Sequence, residues 1–523
     1  MVFHPENPLI SGLPVLQIIP LLKQSLVNQT GMLLSASPGA GKSTVVPIAL
    51  MDANWLNGKK IVMLEPRRLA ARTIASRMAA ILGEEVGNTV GYRVRFENKV
   101  SPQTRIEVLT EGILTRMLQT DNSLDEVGLI IFDEFHERSL FSDTALVLCM
   151  EAQQVLRPDL RILIMSATLD VDSLSNILNF PFLECPGRQY PVDIVYSGQC
   201  DETAIPEMVA EVVFKAVKDK TGDCLVFLPG EAEIKKCEEI LCQNLHGFVV
   251  SPLYGQMPIA QQNNAILPDA SGRRKVVLAT SIAETSLTIE GISIVVDSGF
   301  GRVALFDPNS GLSRLETLRI SKESADQRAG RAGRLGPGTC FRMWTAATHD
   351  RMAEHRVPEI LDADLASLVL HLAEWGVKDV FQLSWPTMPP MGNMAQANFL
   401  LHQLKAMENG KITPHGRQMN RLPCHPRIAH MLILAQKHKM LPLAADLAAI
   451  LEERDPLPKG SGTDINLRLE VLRNFRKERK GSRNLSRLLK IAEQYCRLFD
   501  AQVDNSVVEP SETGMLLAFA YPE

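Results

Sequence analysis

The sequence predicts an α/β protein: two tandem doubly wound parallel-sheet lobes followed by a mainly α-helical region. Three observations carry this prediction. Short apolar runs alternate with helix-patterned segments, the signature of parallel strands joined by crossover helices. The rhythm breaks once, at the turn-rich stretch ECPGRQYPVDI (184–194), and then resumes. After about residue 350 the short runs become scarce while helical spacing persists.

In the first lobe, GMLLSA (31–36), KIVMLEP (60–66), RIEVLT (105–110), GLIIFDE (128–134) and RILIMSAT (161–168) read as strands. Each is short, rich in Leu or β-branched residues, and closed by polar or small residues. RRLAARTIASRMAAIL (67–82) has apolar residues at helical spacing. The second lobe repeats the pattern with DCLVFLPG (223–230), GFVVSPLYG (247–255), RKVVLATS (274–281) and ISIVVDSG (292–299). VPEILDADLASLVLHLAEWGV (357–377) and LPLAADLAAILEERDPL (441–457) then read as amphipathic helices.

Bulk properties agree. The chain has 523 residues, 45% hydrophobic and 22% charged, which is an ordinary globular composition. A formal net charge of -5 argues against a wholly basic nucleic-acid binder but leaves room for a local basic channel. None of the nine cysteines forms a CxxC pair, so reduced thiols are expected rather than a zinc site. The N-terminal MVFHPENPLISGLP lacks the pattern of a signal peptide, and no apolar run reaches membrane-spanning length. A cytoplasmic protein is the expectation.

Two motifs carry chemistry. In MLLSASPGAGKSTVVP a strand leads into a small-residue loop, and Gly41, Lys42, Ser43 and Thr44 open a helix. In the loop Ser37, Pro38, Gly39, Ala40 and Gly41, the backbone N–H groups of all but Pro38 suit phosphate oxygens only if side chains stay out of the way. Lys42 supplies charge for the β- and γ-phosphates, and the Ser43 hydroxyl suits Mg²⁺. Ala36 stands where the first glycine of this pattern is usual. The alternative is a Gly-rich turn with a surface lysine. The second motif, LIIFDEFHERS (129–139), drives a buried strand into Asp133 and Glu134. At the carboxyl edge of a parallel sheet, one carboxylate can hold Mg²⁺ and its neighbour can polarise the water that attacks a γ-phosphate. Alone, a solvated acidic strand end would be the better reading.

Together these residues resemble the DEAH/RHA group of superfamily 2 helicases. DEFHERS resembles motif II, with Phe135 where Ala is usual. EPRRLAAR (65–72) resembles motif Ia, LTEGILTRML (109–118) motif Ib, SAT (166–168) motif III, LATSIAETSLTI (278–289) motif V and QRAGRAGR (327–334) motif VI. Ala36, Phe135 and LEERDPL (451–457) point to the bacterial HrpB-type branch.

The resemblance implies two RecA-like lobes, 1–188 and 189–350, with ATP between them. It implies a winged-helix-like region at 351–425 and a helical ratchet-like region at 426–523. Glu134 becomes the candidate to polarise water. Ser43, Asp133 and Glu134 become the candidate Mg²⁺ set. Arg331 and Arg334 become paired arginine fingers from the second lobe, with Gln327 contacting the γ-phosphate or water. Alanines 329 and 332 and glycines 330 and 333 would allow close approach. His136 would link motif II to motif VI, and Phe135 would pack as core filler. Where many relatives stack an aromatic on the base, QQNNAILPD (261–269) offers only Ile266 or Leu267. Weak discrimination among nucleotides is therefore expected.

Arg67, Arg68, Thr110, Thr280 and Ser281 match positions that contact the backbone of single-stranded RNA, without reading sequence. RNFRKERKGSRNLSRLLK (473–490), with eight Lys or Arg against one Glu, is a solvated helix face or a second nucleic-acid patch. The function implied is an ATP-dependent RNA helicase or translocase. Single-stranded or structured RNA is its partner, with DNA left open and a ribonucleoprotein or activator partner allowed. The alternative is an ATP-driven clamp that does not separate strands. The chain ends GMLLAFAYPE, where the family continues into an oligonucleotide-binding barrel, so a truncated product or fragment is also expected.

Overall fold

The computed structural model describes residues 4–522 except 95–96, 168–170, 188–189, 285–288, 308–310, 459 and 479–482. Thr168 of motif III, 285–288 of motif V and 479–482 of the basic run therefore lie outside the described residues. The chain divides into two compact units. One comprises residues 1–363 and 381–389, the other 364–380 and 390–523.

The first unit holds two sheets. Strands β1 (Gly31–Ala36), β2 (Lys60–Leu64), β3 (Val90–Val94), β4 (Glu97–Lys99), β5 (Ile106–Leu109), β6 (Val127–Phe132), β7 (Arg161–Ser166) and β8 (Phe182–Cys185) are ordered β4-β3-β5-β2-β6-β7-β1-β8. Neighbours run parallel except β3 and β4. Leu129, Ile130, Ile131 and Phe132 of β6 are fully buried, as a strand covered on both faces requires. The helix Arg68–Leu82 turns Ala71, Ile74, Ala75 and Met78 inward and ends at Gly83 (φ 71°), a left-handed cap that glycine adopts without cost. β7 lies between β1 and β6 and runs parallel to both. The carboxyl ends of all three strands therefore open on one edge.

The second sheet uses β9 (Val192–Tyr196), β10 (Asp223–Phe227), β11 (Val249–Leu253), β12 (Lys275–Ala279) and β13 (Ile292–Asp297). β14 (Phe300–Asp307) and β15 (Leu312–Arg319) form a separate antiparallel pair, and β16 (Gly338–Arg342) returns to the sheet. The order is β11-β12-β10-β13-β16-β9, all parallel. Two RecA-like parallel-sheet lobes followed by a helical region are thus the architecture.

The structure differs from the sequence expectation at the sheet margins. The stretch 184–194, expected to be a break, contains the end of β8 and the start of β9, one strand from each sheet. Both are edge strands, where less burial is needed and prolines are tolerated nearby. The expected helix over 357–377 is split into a short 3-10 turn, Glu359–Leu361, and the helix Ala366–Trp375. Asp364 Oδ1 accepts the Ala366 N–H at 2.7 Å, satisfying the first backbone donor of the second helix.

The second unit is built on helices Pro426–Lys437, Leu441–Glu452, Ile465–Glu478, Arg483–Leu498 and Pro510–Ala520. Leu432, Leu447, Leu469, Leu488 and Leu516 meet in its core. Arg473 and Arg476 of the basic run point inward and pair with buried Asp446, Arg473 at 3.1 Å. These two charges serve the fold of this unit instead of forming an open basic face.

The same unit holds a histidine pair, His430 buried and His415 half-buried. His415 Nε2 and His430 Nδ1 lie 2.7 Å apart, so one ring must donate and the other accept. Burial, then the neighbouring imidazole and Lys405 and Lys437, bring His430 down to about 4. Burial likewise lowers His415. Both rings bind protons more readily when unfolded. Their contribution to stability is therefore complete above the ordinary value of 6.5 and is lost as pH falls toward about 4. Thermal unfolding of the full chain should show a drop in Tm of several degrees between pH 7 and pH 5. His430→Gln should start lower and flatten that slope. Identical slopes would show that the pair does not titrate with folding.

Candidate active site

The phosphate-loop residues sit between β1 and the helix Lys42–Leu50. Gly39 (φ 86°) and Gly41 (φ 91°) are both left-handed. At Gly41 space is also short: a Cβ there would lie 2.9 Å from Leu13 Cδ1. The segment Pro14–Gln17 braces the loop from below, with Val15 N–H donating to the Ala40 carbonyl at 3.1 Å. Ser37 and Pro38 are half-buried, Gly39 is exposed, Ala40 is buried, and Ser43 and Thr44 occupy the first helical turn. Ala36 is the last residue of β1 and pairs with Cys185, a strand position that does not require glycine.

Lys42 is buried and its Nζ lies 3.2 Å from Glu134 Oε1. Burial alone would lower its pKa, but the carboxylates of Glu134 and Asp133 raise it, so the ammonium is charged. Asp133 and Glu134 follow the end of β6 and are 3% and 4% exposed. Glu134 adopts φ 50°, left-handed for a residue with a side chain. Strain of this kind costs on the order of 1–3 kcal/mol and gathers at functional sites. Asp133 helps hold it, with Oδ1 accepting the Glu134 N–H at 2.9 Å. The reversal also carries Phe135 back against Phe132, edge to face at 6.2 Å, so Phe135 is buried packing as expected.

The two carboxylates are electrostatically unlike. Burial raises Asp133, and its neighbour Glu134 adds to this against the pull of Lys42 and the Ser43 hydroxyl. Burial would raise Glu134 too, but Lys42, His136 and Arg331 outweigh it and hold its carboxyl below the usual range. His136 Nδ1 is 3.0 Å from Ser166 Oγ, at the end of β7, and 3.5 Å from Glu134 Oε2. Among the described residues, Asp133 Oδ2, Glu134 Oε2 and His136 Nε2 are buried without a hydrogen bond.

The second lobe completes the site. Gln327 is buried near the end of the helix Lys322–Ala329, and Arg331 lies in the turn beyond it. Arg331 Nε donates to the Glu284 carbonyl at 2.9 Å. Burial and neighbouring Arg334 lower Arg331 well below its ordinary value, and burial brings Arg334 to about 10. At Gly333 a Cβ would meet the Tyr190 carbonyl of the same lobe at 2.7 Å, so the small residue there admits the chain leading into β9. His136 and Gln327 line one small cavity between the lobes, shared with Arg67 and Glu284. Buried Lys42 and Arg331 and half-buried Arg334 thus surround two carboxylates, an arrangement that favours arrival of an anion. The buried carboxylate oxygens beside a hydroxyl suit a hard cation.

The RNA candidates differ in exposure. Arg68 is exposed at the start of its helix, and Thr110, Thr280 and Ser281 are half-buried. Arg67 turns its guanidinium inward, to Glu137 at 2.9 Å and to the Ser281 carbonyl at 2.5 Å. Ile266 packs on the core of the second lobe and Leu267 is exposed.

Sequence reasoning missed Arg328, Glu284 and Asp297. Arg328 is buried between Glu284 at 3.2 Å and Asp297 at 2.8 Å, over the Phe227 ring. A signal was present: Asp297 closes the apolar run ISIVVD just as Asp133 closes LIIFD.

A DEAD/DEAH box helicase family model matches residues 17–177, and a helicase conserved C-terminal domain model matches 205–336. The ATP-dependent RNA helicase HrpB of Escherichia coli (strain K12) is 46% identical over 460 residues, covering 88% of this chain and 56% of that protein. The crystal structure of Escherichia coli DEAH/RHA helicase HrpB aligns with a TM-score of 0.87 at 42% identity, over 98% of this chain and 63% of that one. That of the E. coli DExH-box NTPase HrpB gives 0.83 at 42% identity, over 98% and 61%. The chain therefore spans somewhat over half the length of these relatives. Its sequence, its two sheets and its matched domains agree: the chain belongs to the DEAD/DEAH box helicases, as an HrpB-like member of the DEAH/RHA group.

Proposed function

We propose that this chain couples ATP hydrolysis to movement along RNA or to its unwinding, as an ATP-dependent RNA helicase acting in the cytoplasm. The observation that carries this reading is the meeting of groups from both lobes on one buried carboxylate. Lys42 bonds Glu134 from the phosphate loop, and the charge of Arg331 reaches it from the second lobe. The working division places the lobes at 1–188 and 189–350, the winged-helix-like region at 351–425 and the ratchet-like region at 426–523.

In this reading the loop from Ser37 to Thr44 cradles the phosphates and Lys42 exchanges its bond with Glu134 for the β- and γ-phosphates. That exchange frees the Glu134 carboxylate, ionised by its cationic surroundings, to polarise the attacking water. Ser43, Asp133 and Glu134 would hold Mg²⁺, directly or through water, and the ion would neutralise charge on the phosphate oxygens. Gln327 orients the water or γ-phosphate. Arg331 and Arg334 stabilise charge on the transferring group once the lobes close. His136, held by Ser166, links the two halves. Arg68, Thr110, Thr280 and Ser281 contact the RNA backbone.

Hydrolysis measured with RNA, with DNA and with neither, alongside duplex displacement, tests the proposal. RNA-stimulated turnover with strand release is expected. Turnover without strand release would favour a clamp. Glu134→Gln should cut turnover by several orders of magnitude and leave ATP affinity nearly unchanged; near-normal turnover would remove Glu134 from its role. Arg331→Ala should lower kcat by about 10³-fold or more. A change confined to KM would make Arg331 a binding group instead. With Ile266 and Leu267 offering no aromatic face, GTP, CTP and UTP should be hydrolysed at rates comparable to ATP. A strong preference for ATP would point to a base contact elsewhere.

A further inference from the structure

The sequence pairs Arg67 with Arg68 as contacts for RNA, yet in the fold the two side chains part. Arg68 is exposed on its helix. Arg67 precedes that helix in extended conformation (φ -114°, ψ 126°), and its side chain is only 17% exposed. One guanidinium nitrogen meets Glu137, just past motif II, at 2.9 Å. The other crosses to the second lobe and donates to the Ser281 carbonyl at 2.5 Å.

That carbonyl has a second task. It also accepts the Glu284 N–H at 3.0 Å, closing the 3-10 turn Ser281–Ala283. Glu284 then holds the candidate finger, its carbonyl accepting from Arg331 Nε at 2.9 Å. Its buried carboxylate is fixed in turn by Arg328 at 3.2 Å. A continuous run of bonds therefore leads from Glu137, through Arg67 and one short turn, to Arg331. Both ends of the run stand beside the hydrolysis site, and its middle begins at Thr280 and Ser281, the second lobe's candidates for RNA.

Resting on the ATP-hydrolysis reading above, we infer that Arg67 is a positioning residue for Arg331: it clasps the motif V turn to the first lobe and does not bind RNA. The guanidinium suits both partners at once, because its nitrogens form a rigid, pre-organised fork; an ammonium is a point charge on a flexible stem and holds two fixed acceptors less firmly. When the lobes part, the Ser281 bond breaks and the turn loses its brace. When they close, the brace sets Arg331. RNA held at Thr280 and Ser281 would act on the same turn, which gives RNA a physical route to the hydrolysis rate.

The test uses the full chain with single-stranded oligouridylate as the RNA. Wild type is compared with Arg67→Ala, Arg67→Lys and Glu137→Ala after thermal unfolding has established that each is folded. Arg67→Ala should lower kcat at saturating RNA by about 10- to 100-fold, the scale of a misplaced catalytic group. KM for ATP should stay within about threefold. RNA affinity without nucleotide, and its dependence on salt, should be unchanged. Arg67→Lys should fare as badly. If Arg67→Ala does not fold, Glu137→Ala, which removes one partner only, should show the same split between kcat and KM, and a normal kcat there overturns the inference. Recovery of kcat by Arg67→Lys overturns it as well. So does weaker RNA binding by Arg67→Ala with a salt slope reduced by about 1 and normal kcat at saturation, the signature of a lost phosphate contact. A wild-type chain lacking RNA-stimulated hydrolysis overturns the activity itself. A stimulated wild type with a normal Arg67→Ala variant overturns this inference alone.

Discussion

The buried ion pair between Lys42 and Glu134 is the constraint on which the rest of the site depends. Each ion would be expensive to bury alone, and removing one partner of such a pair typically costs about 3–5 kcal/mol. The pair therefore fixes the phosphate loop against the end of β6. Asp133 on one side and Arg331 and half-buried Arg334 on the other extend it into a cluster of three cations and two carboxylates. Such a cluster is tolerable in the fold and is better satisfied by a polyanion. Under the proposed function stability and activity meet there: what makes the site costly to bury would also make it receptive to a triphosphate.

The parallel sheet is what makes this geometry reachable. β1, β7 and β6 deliver the phosphate loop, Ser166 and the carboxylates to one edge. Local backbone then does the fine placement. Gly39 and Gly41 turn the loop in conformations closed to most side chains. Glu134 accepts a left-handed conformation that swings its carboxylate toward Lys42 and buries Phe135 behind it. The second lobe uses the same device. Its strand-end carboxylate, Asp297, anchors Arg328, and Arg328 orders Glu284, which in turn holds Arg331.

Much of this was legible in the sequence, for physical reasons that also explain what was not. Interior strands such as LIIF and VVLA are buried on both faces, so their apolar runs are unmistakable. Edge strands such as β8 and β9 need little burial and carry prolines beside them, so they read as turns. The phosphate loop and the DEFH stretch were readable because their chemistry demands rare residue types at fixed spacing. Arg67 and Arg68 look alike in a string. Only the fold shows that one is exposed while its neighbour crosses to a backbone carbonyl more than two hundred positions away. Backbone partners such as the Ser281 and Glu284 carbonyls leave no mark in sequence at all. Arg473 and Arg476 illustrate the same limit: a basic run does not reveal that Asp446 waits for two of its members.

The central claim is that the two lobes build a single hydrolysis site around Glu134. A double-mutant cycle tests it directly, with single-turnover ATP hydrolysis at saturating RNA for the wild type, Glu134→Gln, Arg331→Ala and the double variant. Groups that act as a unit are strongly non-additive. The double variant is therefore predicted to hydrolyse ATP about as slowly as the slower single variant. Rate losses that simply multiply would mean that Glu134 and Arg331 act independently, and would contradict the account.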